Sequence, residues 1–406
     1  MRPFWDDVRR FDYEALFRED ELDQIVPLTS AACTIIRQLI YELGGYDWDR
    51  LHDDVLGAVF ESLIPKQEQH LLGQFYTPTR VADLLIAFAV DGPNLLILDP
   101  GCGSGTFLMR TYDYLKSMTG ASHSALLSQI WGFDISGFAA ELAAINLFRK
   151  DMSAFDNFPR IVPGNFFDRA VGEEIPFPPA KVGGQGKVVI EIPTFTGVVA
   201  NPPYLRSQNQ DDLNTKYKAT LFGAANVSGI RAATKTDLFA FFVYKALQFM
   251  PPGGRLAFVV SSSWLTTEFG ASLQRLLLEK LRLIAVIASS AESFFYQVDV
   301  NTVLIVAEKR SKPGVPEGEK LRFVSLKRRL TDILTGSGRE YWEVVQNLAD
   351  SIEMVEHTSE NDMFRVVTVS AMDELAGLDR APKRPRNWSL YLRAPKLYFE
   401  IFGGTQ

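Results

Sequence analysis

A doubly wound α/β sheet of mostly parallel strands, preceded by a helical region, is the fold class the sequence predicts. Three observations carry that expectation. Between residues 95 and 310, short apolar runs of strand length alternate with helical segments, and such alternation builds a parallel sheet covered on both faces. A glycine-rich turn follows the first of those strands and opens a helix, the arrangement by which such sheets bind ligands at their carboxyl edge. An Asn-Pro-Pro-Tyr turn ends the fourth strand, at that same edge.

The elements follow in order. Residues 1–72 read as helical, because Leu51, Val55, Leu56, Val59, Phe60 and Leu63 recur at helical spacing and Pro65 closes the segment. Gly73-Gln-Phe-Tyr-Thr-Pro78 is a turn-like break, after which Thr79 stands as N-cap of an amphipathic helix through Ala89. Leu95–Asp99 is a buried strand with Thr106–Leu115 as its helix. Ile130–Ile135 and Gly137–Phe148 make the next pair, Arg160–Asn165 a third strand, and Gly197–Ala200 a fourth that ends at Asn201. Asp237–Met250 is a strongly apolar helix. The strand Arg255–Ser262, the helix Ala271–Lys280 and the strands Leu283–Ser289 and Thr302–Glu308 complete the alternation.

Two stretches interrupt it. Val171–Pro193, rich in proline and glycine, reads as a surface insertion, and Leu205–Lys235 as a long polar loop; loops of that length are usually functional or disordered. After Arg310 the alternation fades. Basic clusters, Lys327-Arg-Arg329 and Lys383-Arg-Pro-Arg386, stand there near Trp388, Tyr391, Tyr398 and Phe399. They form either a solvated edge with packing aromatics or a phosphate-contacting surface.

Composition narrows the function classes. The chain has 406 residues, 47% hydrophobic and 22% charged, with mean hydropathy near zero, as expected of a globular protein with one large domain plus additions, or two. Its apolar runs are strand-sized and far too short to span a bilayer, and the first residues lack a signal-peptide core. The chain therefore reads as cytoplasmic, with no membrane partner. Two cysteines and four scattered histidines supply neither a disulfide framework nor a metal site. A net charge of −7 gives no global basic field for gripping nucleic acid unaided.

Asp99-Pro-Gly-Cys-Gly-Ser-Gly-Thr-Phe107 lets the backbone pass close to a ligand at a tight strand-to-helix turn. Its spacing departs from the dinucleotide fingerprint, and it lacks the Lys-Ser/Thr pair of a phosphate loop. A ligand without phosphate fits such a turn. Asp134, ending the second strand, can accept both hydroxyls of a ribose, or else cap the following helix. Asn165 can bond an adenine edge with Phe166 stacking on the ring, or else close a strand end above two core phenylalanines.

Asn201-Pro-Pro-Tyr204 carries its own chemistry. An aromatic amine delocalises its lone pair into the ring and attacks poorly. Accepting hydrogen bonds from both of its N–H groups frees that lone pair, and the Asn201 side-chain oxygen and the Pro202 carbonyl are two such acceptors. Pro202 and Pro203 have fixed φ and hold the acceptors rigid. Tyr204 offers a flat face for a base, a stack worth about 1–3 kcal/mol. The amine can then attack a sulfonium methyl in line, with no covalent bond to the protein.

With these motifs the sequence resembles the N6-adenine DNA methyltransferases of the gamma arrangement, in which the cofactor motif precedes the catalytic one. It is most similar to modification subunits of restriction-modification systems. The resemblance implies a Rossmann-like methyltransferase sheet with one antiparallel strand over residues 73–310, an N-terminal helical region over 1–72, and a segment over 311–406 leading toward a missing or separate target-recognition region. It implies S-adenosyl-L-methionine as cofactor. Phe75, Tyr76, Thr77 and Pro78 would lie against its methionine end, Asp99, Gly101, Gly103 and Gly105 would form its loop, and Asp134 its ribose acid. Asn165 falls where many members have aspartate. Asp237–Phe242 matches a helix start flanking the pocket, and Phe295, with Phe294 beside it, an aromatic that packs with Tyr204 on a flipped adenine.

The implied partners are double-stranded DNA, a separate specificity subunit and a nuclease, since this chain shows no convincing nuclease cluster. Arg206, Lys216, Lys218 and Arg231 in the polar loop would close over the base. Methylation of RNA adenine or of protein glutamine, and a non-catalytic scaffold of the same fold in a defence complex, are the competing readings. The family's acts on DNA require the base to leave its stack, at a few kcal/mol.

Overall fold

Short β-branched runs flanked by helices with one apolar face assemble as their spacing dictates, into a single twisted sheet with helices on both sides. The computed structural model describes residues 29–43, 77–90, 92, 95–151, 154, 158–177, 188–203, 215–227, 229, 232, 236–295, 301–395 and 398. The expected helix around Leu51–Leu63 lies outside them. Helix α1 (Ser30–Leu43) is the described part of the N-terminal region.

From Thr77 the chain runs through α2 (Thr79–Ala89), β1 (Ile97–Asp99), α3 (Thr106–Thr119), α4 (His123–Gln129), β2 (Ile130–Asp134), α5 (Gly137–Phe148) and β3 (Arg160–Pro163). Pro78, not Thr79, occupies the cap of α2: its fixed φ suits the end of a helix, while the Thr77 hydroxyl is used elsewhere. Next come the pair β4 (Glu174–Phe177) and β5 (Val188–Glu191), then β6 (Gly197–Ala200), α6 (Thr215–Val227), α7 (Leu238–Phe249), β7 (Arg255–Ser261), α8 (Gly270–Glu279), β8 (Leu281–Ser289) and β9 (Thr302–Lys309). Beyond Arg310 lie β10 (Lys320–Leu326), α9 (Leu330–Ile333), α10 (Gly338–Glu353), β11 (Ser359–Glu360), β12 (Phe364–Ser370), α11 (Ala371–Arg380) and α12 (Ser389–Arg393).

Ten strands form the main sheet in the order β11-β12-β10-β8-β9-β7-β6-β1-β2-β3. Neighbours from β3 to β7 are all parallel. Strand β9 is the expected antiparallel strand, lying between β7 and β8. Strand β12 is a further one, antiparallel to β10, which itself pairs parallel with β8. The sheet thus continues past residue 310, where the sequence pattern weakens because Lys320, Arg322, Arg365 and Thr368 interleave with the apolar residues of strands near an edge.

Period-two alternation splits the core in two. On β7, Leu256, Phe258 and Val260 face one layer, covered by α6, α7 and α8; Ala257 and Val259 face the other, beneath α2, α3 and α10. Gly197 opens β6 where a Cβ would stand 2.6 Å from Ile97 Cδ1 and 2.8 Å from the Ala89 carbonyl oxygen. Only glycine lets α2 close on β6 there.

Both interrupting stretches hold more structure than their composition suggests. Val171–Pro193 contains the antiparallel β4–β5 pair, pinned by buried Ile175, Phe177 and Ile192. Leu205–Lys235 contains α6, whose Leu221 and Ala225 are buried while Phe222 meets Phe241 edge-on. The C-terminal aromatics pack inward: Trp388 is fully buried, and its indole N–H, the Tyr391 hydroxyl and the Arg386 guanidinium all donate to the buried Glu374 carboxylate. Burial of that acid recruits the nearby donors, so the packing reading holds for Trp388, Tyr391 and Arg386.

Candidate active site

Because β3, β2, β1, β6 and β7 are parallel neighbours, the residues that end them share one edge of the sheet. Asp99 ends β1, Asp134 ends β2, Asn165 lies two residues past β3, and Asn201 follows β6. Adjacent strands lie about 4.8 Å apart. Asn201 therefore stands one strand from Asp99 and two from Asp134.

The loop after β1 is built by hydrogen bonds to those acids. Asp99 Oδ1 accepts the Gly101 N–H at 3.1 Å. Asp134 Oδ2 accepts the Gly103 N–H at 2.8 Å, and its Oδ1 accepts the Ser136 N–H at 2.8 Å. The cap of α5 is Ser136, not Asp134, which leaves the acid to the loop. Gly103 and Gly105 have φ of +52° and +94°, and a Cβ on Gly105 would come within 3.1 Å of Ala143 Cβ. Both conformations disfavour any side chain. Gly101 is not so constrained; a Cβ there would meet Phe242 at an ordinary 3.7 Å.

The electrostatics are unusual. Asp99 and Asp134 are both buried, and among the described residues neither makes an ion pair. Burial, with Asp134 adding a like charge, pushes the Asp99 carboxyl up to about 8. Burial likewise raises Asp134, against the two amide N–H donors that hold its charge. Desolvation without a basic partner thus holds both carboxyls above the usual carboxylate range.

Asn201 is half-buried, with buried Pro202 behind it. Its Nδ2 donates to Thr77 Oγ1 at 3.0 Å, so the residue before α2 meets the end of β6 across 124 positions of sequence. Pro78 is half-buried at the head of α2. Asp237 caps α7 by position, and its Oδ2 accepts the Ser263 hydroxyl at 3.0 Å. Phe75, Tyr76 and Tyr204 lie outside the described residues, as do Arg206 and Arg231.

Asn165 caps a short 3₁₀ turn: its Oδ1 accepts the Phe167 N–H at 3.2 Å and its Nδ2 donates to Asp168. Phe166 is only 3% exposed and sits among Phe133, Phe242 and Phe249. Phe294 and Phe295 are buried in the layer beneath α2 and α10. Two residues that the motifs did not single out lie beside these, and Thr77, which a motif did single out, makes a contact the motif did not foretell. Ile135, directly after Asp134, is 67% exposed, an apolar surface at the carboxyl edge whose signal is an isoleucine just past a strand end. Asn146 on α5 donates to the Ser104 carbonyl at 2.9 Å and steadies the loop. Thr77 holds Asn201.

The same edge continues as a cleft of about 520 Å³ between the ends of β7, β8 and β10, lined in part by Ser262, Ser290, Asn301, Lys327, Arg365 and Arg393. Lys327 is paired with Glu360, and Arg365 is held by the carbonyls of Leu392 and Ala394.

Comparisons with known proteins converge. The family model described as N-6 DNA Methylase matches residues 51–372. A methylase subunit of the type I restriction enzyme MjaIX from Methanocaldococcus jannaschii is 24% identical over 345 residues, 80% of this chain and 53% of that one. The type II methyltransferase M.XamI of Xanthomonas campestris pv. amaranthicola is 25% identical over 230 residues, 55% of this chain and 36% of that one. The chain thus spans about a third to a half of these curated relatives. Among solved structures, the methyltransferase subunit of a type I restriction-modification system from Streptococcus thermophilus superposes with TM-score 0.56 at 19% identity, covering 90% of this chain and 72% of that one. The type IIG restriction endonuclease BpuSI gives 0.60 at 16% identity, covering 93% of this chain and 39% of that one. At such identities the structural likeness carries the fold alone.

Proposed function

The chain belongs to the N-6 DNA methylase family, and from that premise we propose that it transfers a methyl group from S-adenosylmethionine to N6 of an adenine swung out of duplex DNA, as the modifying component of a restriction or related defence system. The observation that carries this reading is Asn201, anchored at the end of β6 one strand from the buried Asp99 and its glycine loop. The curated relatives described above are methylase subunits and methyltransferases of restriction systems.

The residues present fit the cofactor. Asp99 and Asp134 lack basic partners among the described residues and suit a ligand bearing positive charge; the loop Gly101–Gly105 offers a close backbone surface; Asp134 remains the ribose acid. Ile135 supplies the exposed apolar face for a purine, a role better suited to it than to the buried Phe166. Phe75, Tyr76, Thr77 and Pro78 are placed by family motif along the methionine end. Bound there, S-adenosylmethionine supplies an electrophilic methyl on a sulfonium.

Asn201 and Pro202 then act on the substrate. Their oxygens accept the two N–H groups of the target amine and draw its lone pair out of the ring, and Pro203 keeps the turn rigid. Tyr204 and Phe295 are the proposed aromatic contacts to the base. As the amine nitrogen forms its bond to the methyl carbon, the carbon–sulfur bond breaks, sulfur keeps the electron pair as a neutral thioether, and one amine proton leaves through the accepting oxygens to solvent. The cleft lined by Ser290, Lys327 and Arg393 is the proposed path of the flanking backbone. Reading of the target sequence is assigned to a separate specificity subunit, with any cleavage left to a nuclease partner.

Asn201→Ala tests the assignment. Methylation of adenine in DNA, followed with labelled cofactor, should fall by roughly 10²-fold or more, the scale of losing one preorganised transition-state hydrogen bond. Cofactor affinity should stay unchanged, because only transition-state contacts are removed. Turnover at the wild-type rate would refute the role.

A further inference from the structure

We infer that Thr77 is a positioning residue for methyl transfer: its buried hydroxyl takes the Asn201 amide N–H and so aims the amide oxygen at the target amine. The inference rests on the proposed role of Asn201 and extends it to a residue whose family motif points only to the cofactor.

A side-chain amide has one good acceptor and one donor, on opposite arms of a plane. Only one of its two orientations presents oxygen to an incoming N–H. Thr77 Oγ1, 3.0 Å from Asn201 Nδ2, holds the nitrogen on the α2 side and thereby turns the oxygen away from it. The hydroxyl is a fixed point. Thr77 is only 5% exposed, and it immediately precedes Pro78, whose carbonyl accepts the N–H groups of Val81 and Ala82. Every residue of α2 from Val81 to Ala89 is buried.

Helix α2 is itself clamped from two sides. Asp83, fully buried, accepts from Arg110 Nε at 2.6 Å and Nη2 at 3.0 Å on α3, and from the Tyr341 hydroxyl on α10. Arg80 lies over the Tyr341 ring and Arg110 over the Trp342 ring, 4.3 and 4.9 Å from their centroids. The Arg255 guanidinium donates to the Phe88 carbonyl near the other end of the helix. A helix held this firmly transmits its position to Asn201 through the Thr77 hydroxyl, and misplacement of a reacting group by about an ångström can cost about 10²-fold in rate.

The test compares Thr77→Val and Thr77→Ser in two backgrounds, in the complete DNA-methylating complex. Thr77→Val should lower kcat at saturating S-adenosylmethionine about 10- to 100-fold, with cofactor affinity followed by calorimetry so that any weaker binding is read apart from the loss in rate. Thr77→Ser should restore most of the rate. In the Asn201→Asp background the valine substitution should cost less than about twofold, because a carboxylate offers an acceptor on either arm and needs no aiming. That ratio separates aiming from folding, since a merely structural threonine would cost the same in both backgrounds. Thr77→Val with wild-type kcat, an equal loss in both backgrounds, or a loss explained wholly by weaker cofactor binding would each overturn the inference. Where Thr77→Val yields no folded protein, the Thr77→Ser and Thr77→Ala pair in the same two backgrounds decides. A wild-type complex that methylates no DNA would instead defeat the function itself.

Discussion

Asp99 shows how a single side chain links fold, ligand and pH. Its carboxyl, pushed up to about 8 by burial with Asp134 nearby, binds its proton more tightly in the folded chain than in the unfolded one, where it ionises near 4. That stabilisation is fully present below about pH 4 and is lost as pH rises toward 8. The melting temperature of the ligand-free protein should therefore decline across that window, and Asp99→Asn, which cannot ionise, should flatten the decline. Parallel slopes for the two proteins would show that Asp99 is not the group responsible. A cation seated beside the acid favours its charged form, so S-adenosylmethionine binding at pH 7 should release a proton, visible as a dependence of calorimetric heat on buffer. Asp134 shares the environment but spends both oxygens on backbone N–H groups, which is why it supports the loop.

At the scale of elements, α2 is the joint on which the site turns. Its sequence is apolar except for Thr79, Arg80 and Asp83, and an acid in such a helix must find partners or destabilise it. It finds Arg110 on α3 and Tyr341 on α10, two helices later in the chain that pack against it. Replacing Asp83 with alanine leaves Arg110 with Asp113 as its remaining carboxylate partner and takes the acceptor from the Tyr341 hydroxyl, and should lower stability by about 1–3 kcal/mol. Denaturant unfolding measures that loss; a change below about 1 kcal/mol would mean that the clamp contributes little. The glycine loop is a second joint, where Gly105 combines a φ of +94° with a close approach to Ala143, so that a side chain there is strained.

For the molecule as a whole, the decisive feature is that the sheet does not stop at residue 310. Strand β10 covers the edge of β8, β12 extends it, and α10 packs Tyr341, Trp342 and Val345 into the layer shared with α2. A chain ended at Arg310 loses those contacts and bares a long apolar strand edge, which invites association. It should elute from gel filtration as aggregate and bind no cofactor. A soluble monomer with normal S-adenosylmethionine affinity would show instead that the later strands are dispensable.

The sequence alone determined the parallel alternation from Ile97 to Ser261, the glycine loop, and the Asn-Pro-Pro-Tyr turn at a strand end, because each follows from local periodicity or backbone chemistry within a few residues. Local composition hid α6 and the β4–β5 pair, whose scattered apolar residues mean something only against Phe241 or Trp131. It also left Phe166 open between ring stacking and core packing. Tertiary structure alone decided the pairing of Thr77 with Asn201, the partners of Asp83 and Glu374, and the strands beyond Arg310. Each of those is set by burial and hydrogen bonding that local periodicity does not reveal, across 124 positions for Thr77 and Asn201.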